Sequence, residues 1–177
     1  GDLAALRLKT GISSERLDLV PMACEVLRVL IRLSKPSEID VSAYGIREGL
    51  LYEKMPPALR SRDPLIDAAL LAEKTQSRMP GFGQKLYDFV LPLFGTASIA
   101  RLRLIKAACL LHDTTWRTHP DFRAEACFDN ATRSNLAGMD HPERVFLGLA
   151  LMHRYKNSRS GSRYAPMFEL LDRKSTR

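Results

Sequence analysis

Scarcity defines much of this sequence: of 177 residues, three are cysteine, four are histidine and 7% are aromatic. Cys24, Cys109 and Cys127 lie far apart with no C-x-x-C pairing, which excludes a disulfide-stapled scaffold and a four-cysteine zinc site. Cys24 and Cys109 fall inside apolar helical patterns, where a thiol behaves as a small hydrophobe, and a reduced, cytoplasmic setting is expected. The longest apolar stretches, Val26 to Leu33 and Leu104 to Leu111, are broken by Arg28, Arg32 and Lys106. Neither approaches the roughly 18–20 apolar residues of a membrane span. No basic stretch followed by an apolar core opens the chain, so no signal peptide is read. Gly1 standing in place of Met reads as a tag remnant or a cut chain. There is no Walker A sequence, and Ser42 and Cys127 have no base beside them in any motif that activates a nucleophile.

Helical periodicity is abundant. Leu19, Met22, Val26, Leu27, Leu30, Ile31 and Leu33 recur at helical spacing, and with Pro21 placed in the first turn the helix is predicted from about Pro21 to Leu33. Glu38 to Ser42 alternates like a short strand, followed by Gly45 and a helix over Ile46 to Glu53. That one strand has no partner in the sequence. Met55-Pro56-Pro57 and Ser61-Arg62-Asp63 mark a boundary, after which Asp63 as N-cap and Pro64 at the first helical position begin a second domain. Its predicted helices carry the stripes Leu65, Ile66, Ala69, Leu70, Leu71 and Leu86, Phe89, Val90, Leu93, the latter over Gln84 to Phe94 with Pro92 ending or kinking it. Ser98 caps a helix from Ile99 to His112. His119-Pro120-Asp121 opens another, and Asp140-His141-Pro142-Glu143 a third with the face Val145, Phe146, Leu149, Ala150 and Met152 to Tyr155. Pro166 to Asp172 begins a last one. The predicted fold is mainly all-α.

Three constellations carry chemistry. His112-Asp113 places a nitrogen and a carboxylate at the end of an apolar helix, where they can share a cation. A metallophosphohydrolase of the H…HD…D type also needs an earlier histidine, and none precedes His112. Where it would stand, after Gly81, the chain has Phe82, Gly83 and Gln84. The competing reading is a hydrogen-bonded His112–Asp113 pair that closes its helix and orients the turn into Trp116. Gly45-Ile46-Arg47-Glu48-Gly49 feeds a glycine turn into a helix start, with Arg47 available to a phosphate. The alternative gives Gly45 a turn conformation and Arg47 and Glu48 salt bridges. The third set is basic: Arg101, Arg103 and Lys106 on one helix, and Arg154, Lys156, Arg159 and Arg163 around the last strong one. With 27 Lys and Arg against 20 Asp and Glu, the net charge is +7, which favours polyanionic partners. No aromatic interleaves with the basic runs as base stacking needs, so nucleic acid is disfavoured.

The stretch Ser13 to Leu33 followed by Ile39-Asp40-Val41-Ser42-Ala43-Tyr44-Gly45-Ile46-Arg47-Glu48-Gly49-Leu50-Leu51-Tyr52 resembles the end of the phosphatase domain of the Ppx/GppA family. Ala108 to Asp113 with Trp116, His119 to Arg123, and Asp140 to Ala150 resemble the degenerate HD domain of its exopolyphosphatases, most like the alphaproteobacterial ones. The resemblance implies a remnant of an actin-like ASKHA domain over residues 1–60 and an HD-like helical bundle over 63–177, cut short at its end. It implies Mg²⁺-dependent release of terminal phosphate from inorganic polyphosphate or guanosine pentaphosphate by the parent protein, as a homodimer. The family's phosphate loops and catalytic glutamate match nothing in this chain, so no catalytic residue and no cofactor are expected in it. Arg47, Arg101, Arg103, Arg154 and Lys156 are the expected polyanion contacts. Two other readings stand beside this one: an HD-type metal-dependent phosphohydrolase using His112 and Asp113, and a structural or dimerisation module.

Overall fold

A computed structural model describes residues 3–39, 42, 44–156 and 164–172. The described residues are mostly helical and contain no strand. Of the predicted strand, Glu38, Ile39 and Ser42 are irregular, while Asp40 and Val41 lie outside the described residues. An extended segment without a neighbour to take its backbone bonds has no reason to register as a strand. The chain divides into two compact units, Gly1–Ala43 and Tyr44–Arg177.

The first unit holds α1 (Leu3–Thr10) and α2 (Ser14–Ser34). The sequence reading did not include α1, although Gly11 at φ 67° just past its end, with its N–H donated to the Arg7 carbonyl at 2.8 Å, is a recognisable helix stop. The start expected for α2 at Pro21 is corrected: Pro21 lies well inside it. The helix begins at the Ser13 boundary, and losing one i to i−4 bond at proline is outweighed by the turns propagating on either side. Lys35 in the left-handed conformation, its N–H on the Ile31 carbonyl at 2.9 Å, ends α2. Cys24 is exposed rather than buried as the pattern suggested. So are Leu19, Met22, Val26, Leu27, Leu30, Ile31 and Leu33.

The second unit begins with α3 (Ile46–Lys54) and the single turn α4 (Pro57–Arg60), both exposed. Its body is α5 (Pro64–Gln76), α6 (Phe82–Val90) running into a 3₁₀ turn at Leu91–Phe94, α7 (Ile99–Leu111), α8 (Pro120–Arg133), α9 (His141–His153) and α10 (Ala165–Asp172). Local capping explains most of the starts. Asp63 accepts from the Leu65 and Ile66 amides at 2.9 and 3.3 Å, Ser98 from Arg101, and Asp140 with Glu143 forms a reciprocal capping box. Pro92 ends the α-helical geometry of α6 and falls within the 3₁₀ turn.

Two clusters form the core. The larger joins Leu65 and Ala69 of α5, Leu104, Ala107, Leu110 and Leu111 of α7, Cys127 and Ala131 of α8, and Leu147 and Leu151 of α9. The second joins Ala124 and Phe128 of α8, Val145, Leu149 and Met152 of α9, and Tyr164. Helix α9 therefore serves both, with Leu147 and Leu151 on one side and Val145 and Leu149 on the other. This corrects the single face expected for it, and Ala150 is exposed. Glycine sets two contacts: a Cβ on Gly148 would sit 2.9 Å from the Phe128 ring, and one on Gly83 would sit 2.7 Å from Leu110 Cα. The stripes of α5 and α6 are narrower than the spacing suggested, since Leu70, Leu71, Phe89 and Leu93 are exposed. A carboxylate, Glu73, occupies the buried side of α5 instead, accepting the Gly83 amide at 2.6 Å.

Candidate functional site

The buried end of α7 delivers His112 and Asp113 into a turn that runs on to Thr118. The Asp113 carboxylate, 6% exposed, accepts three bonds from Arg78 in the α5–α6 loop. The backbone N–H and Nε reach Oδ2 at 3.1 and 3.0 Å, and Nη2 reaches Oδ1 at 2.6 Å. Arg154, just past α9, brings its Nη2 to 3.8 Å from the same Oδ1 and donates through Nη1 to the His112 carbonyl. One carboxylate thus ties together the ends of α5, α7 and α9. The Arg78 hydrogen bonds, with the charges of Arg78 and Arg154, hold its carboxyl down at about 2 in spite of burial.

Around this pair the protein gathers more arginine. The indole N–H of Trp116 donates to the Gln76 carbonyl at 2.9 Å, and the guanidiniums of Arg78 and Arg117 lie 5.8 and 4.6 Å from the Trp116 ring. Arg123 donates to the Trp116 and Thr118 carbonyls at 2.8 and 3.0 Å and closes the turn. Arg123 and Arg154 lie 5.6 and 5.0 Å from the Tyr155 ring. These are cation–π distances, which favour arginine because its planar charge stacks on a ring face. Lys156 follows Tyr155 and is exposed.

His112 and Asp113 do not bond each other, which corrects the paired reading. His112 Nδ1 meets the Cys109 carbonyl at 2.8 Å, and its ring lies 5.5 Å from that of Phe82. Phe82, at the start of α6, thus faces His112 with a phenyl ring. Burial pushes the His112 imidazole toward its neutral form, and the nearby Arg154 charge acts the same way. Both Asp113 oxygens are occupied by Arg78, and no group of three or more His, Cys, Asp or Glu among the described residues could hold a metal. These residues do not fit a Mg²⁺ site. A cleft of about 200 Å³ opens beside the turn, lined by Gln76, Thr114, Thr115, Cys127 and Asn130. There the Cys127 thiol, 2.9 Å from the Thr115 hydroxyl, is pushed up by burial, opposite to an activated nucleophile.

The other expected contacts fall elsewhere. Arg103 donates to Asp63 through Nε and Nη2 and to the Gly138 carbonyl at 2.7 Å, so it joins α7 to the starts of α5 and α9. Arg101 lies over the Phe146 ring at 4.3 Å, in a cleft shared with Asp140 and Glu143. Both sit near the start of α7, with about 12 Å of helix rise between Arg103 and the end of α7 at Leu111, where the turn to Asp113 begins. Arg47, on α3, is exposed. Gly45 takes φ −96°, not a glycine-only conformation, and its N–H is held by Glu48 Oε2 at 2.8 Å, so a carboxylate already caps that helix start. Arg159 and Arg163 lie outside the described residues. Of the expected set, the structure places Arg154 in this cluster, with Lys156 exposed two positions further along the chain; Arg78, Arg117 and Arg123 lie outside that set. Their one advance signal was the lone tryptophan amid basic residues, Trp116-Arg117.

The Asp113 pairing has a measurable consequence. Its folded carboxyl sits near 2, below the unfolded value of about 3.9, so the stabilisation is complete above about pH 4 and is lost as pH falls toward 2. With Arg78 half in solvent, we expect this to amount to about 1–2 kcal/mol. Urea midpoints at about pH 6 and about pH 2.5 should differ less in Asp113→Asn than in the unaltered chain. An equal acid loss in both would remove Asp113 from the account.

Among the described residues, fold and site define an all-α module that gathers arginines around one carboxylate, with no group of three or more His, Cys, Asp or Glu placed to hold a metal. The family described as "Exopolyphosphatase, C-terminal" matches residues 65–176, beginning just past the Asp63 boundary, and the chain belongs to that family. It is also similar to retrograde regulation protein 2 of Saccharomyces cerevisiae, 29% identical over 125 residues. That match covers 66% of this chain and 20% of the yeast protein's length. No helix among the described residues is long and apolar enough to cross a membrane.

Proposed function

We propose that this chain is the polyanion-binding C-terminal part of an exopolyphosphatase, with inorganic polyphosphate as its ligand. Guanosine pentaphosphate, with the same phosphoanhydride chemistry, is the alternative substrate of the whole protein. The carrying observation is the convergence of Arg78, Arg117, Arg123 and Arg154 around Asp113, Trp116 and Tyr155. Guanidiniums stay charged at any physiological pH, and bringing four together beside one paired carboxylate leaves a positive surface that a chain of phosphates neutralises. Within the matched region we read the helices as an HD-like bundle in which His112-Asp113 has become an anchoring element. Terminal phosphate release, with its Mg²⁺ and its catalytic carboxylate, is assigned to sequence outside this chain. By the same resemblance we place the protein in the cytoplasm as a homodimer, which light scattering reads directly.

Filter retention of end-labelled polyphosphate by the chain tests the proposal. Retention at about 50 mM salt that falls log-linearly toward about 200 mM is expected for a contact made through several phosphates. No retention at the lower salt would refute it.

A further inference from the structure

We infer that Asp113 is a positioning residue: its carboxylate holds Arg78 and Arg154 side by side as a paired receptor for neighbouring phosphoryl groups of one polyphosphate chain. This rests on the polyanion reading above and goes beyond it by assigning the pair and the role of the acid. The geometry is specific. Oδ1 of Asp113 is shared, 2.6 Å from Arg78 Nη2 and 3.8 Å from Arg154 Nη2, so the two nitrogens lie within the sum of those distances. Two like charges do not hold that spacing unaided, and the carboxylate between them makes it possible. Phosphoryl groups joined through one bridging oxygen present their free oxygens at a comparable spacing.

Both arginines keep donors that these bonds do not use. A guanidinium has five N–H groups. Arg78 spends the Nε edge on Asp113, which leaves Nη1 uncommitted, and 55% of its side chain remains exposed. Arg154 spends Nη1 on the His112 carbonyl and keeps 36% of its side chain in solvent. Arg103 shows what a structural arginine looks like in the same protein: it is 21% exposed and spans Asp63 and the Gly138 carbonyl. Trp116 beside Arg78 and Tyr155 beside Arg154 restrict the two heads further. A side chain already ordered loses less freedom on binding, so preorganisation appears as affinity.

The inference has a sign that simple charge counting does not share. Asp113→Asn removes a negative charge, so a merely electrostatic patch would bind polyphosphate more tightly. A positioning role predicts the reverse. Calorimetric titration of the whole chain with polyphosphate, below each variant's melting range, should give about tenfold weaker binding for Asp113→Asn. Its preference for polyphosphate over orthophosphate should shrink, a change that a purely structural role would not produce in the folded protein. Adding Arg78→Ala to Asp113→Asn should cost less than Arg78→Ala alone, because the two act as a unit. Equal or tighter binding by Asp113→Asn overturns the inference while leaving the polyanion reading intact; absence of binding by the unaltered chain overturns both. If Asp113→Asn does not fold, Arg78→Ala against Arg117→Ala decides. A distinctly larger loss at Arg78 supports the pair, and equal losses reduce the site to charge counting and overturn it.

Discussion

Replacing Gly83 by alanine is expected to destabilise the second unit by about 3 kcal/mol, a drop of roughly 10 °C in melting temperature. The new Cβ would stand 2.7 Å from Leu110 Cα, 2.8 Å from the Cys109 carbonyl oxygen and 2.8 Å from Glu73 Oε1. Two of those neighbours are backbone of α7, whose Leu110 is fully buried, so α6 must move as a body. Moving it lengthens the 2.6 Å bond from the Gly83 amide to Glu73 and strands a carboxylate that is 3% exposed. The requirement is for close approach, not for a left-handed backbone. Gly49, also helical, has nothing within 4 Å of a Cβ, and Gly49→Ala should be neutral or stabilising by about 0.5–1 kcal/mol. Thermal melts by circular dichroism distinguish the two, and a Gly83→Ala melt within a few degrees of the parent would show that α6 does not rest on α7 as described.

Asp63→Ala should have an effect of similar size, about 3 kcal/mol, because one side chain serves two purposes. Its Oδ1 caps α5 through the Leu65 and Ile66 amides and also accepts Arg103 Nη2 at 3.0 Å, while Oδ2 takes Arg103 Nε. Burial raises the Asp63 carboxyl, yet the Arg103 bond and charge with the two amides outweigh it and leave it lowered. Without the carboxylate, a mostly buried guanidinium keeps only the Gly138 carbonyl, on a loop where glycine takes φ 73° and a Cβ would meet Pro64 and Arg103. Asp63→Asn keeps the cap and loses the charge, and should cost about half as much. Urea unfolding reads the order parent, Asn, Ala; an alanine variant within about 0.5 kcal/mol of the parent would remove Asp63 as a junction.

What was legible in advance divides by sequence distance. Helix starts are written in a few adjacent residues, so Asp63-Pro64, Ser98 and the Asp140–Glu143 box identified α5, α7 and α9 to within a residue. Faces were less legible. The stripes included Leu70, Phe89 and Leu93, which stay exposed, because periodicity reports what a helix could bury and the neighbours decide what it does bury. Pro21 misled for a related reason: a local rule against interior proline lost to a long helix. The site was least legible. Arg78 reaches Asp113 across 35 positions and Arg103 reaches Asp63 across 40, and no spacing rule couples residues so far apart. The His112-Asp113 dipeptide marks the turn where these arginines gather, but the pairing of its carboxylate is set by an arginine in an unremarkable Ser77-Arg78-Met79 loop.

The central claim is that polyanion binding belongs to the cluster at the end of α7 and not to Arg101 and Lys106 earlier on that helix. Filter retention of labelled polyphosphate by Arg78→Ala/Arg154→Ala, set beside Arg101→Ala/Lys106→Ala with the same loss of charge, tests it most directly. The account predicts that the first pair abolishes retention at low salt while the second lowers it only modestly. Equal retention by the two double variants would contradict it.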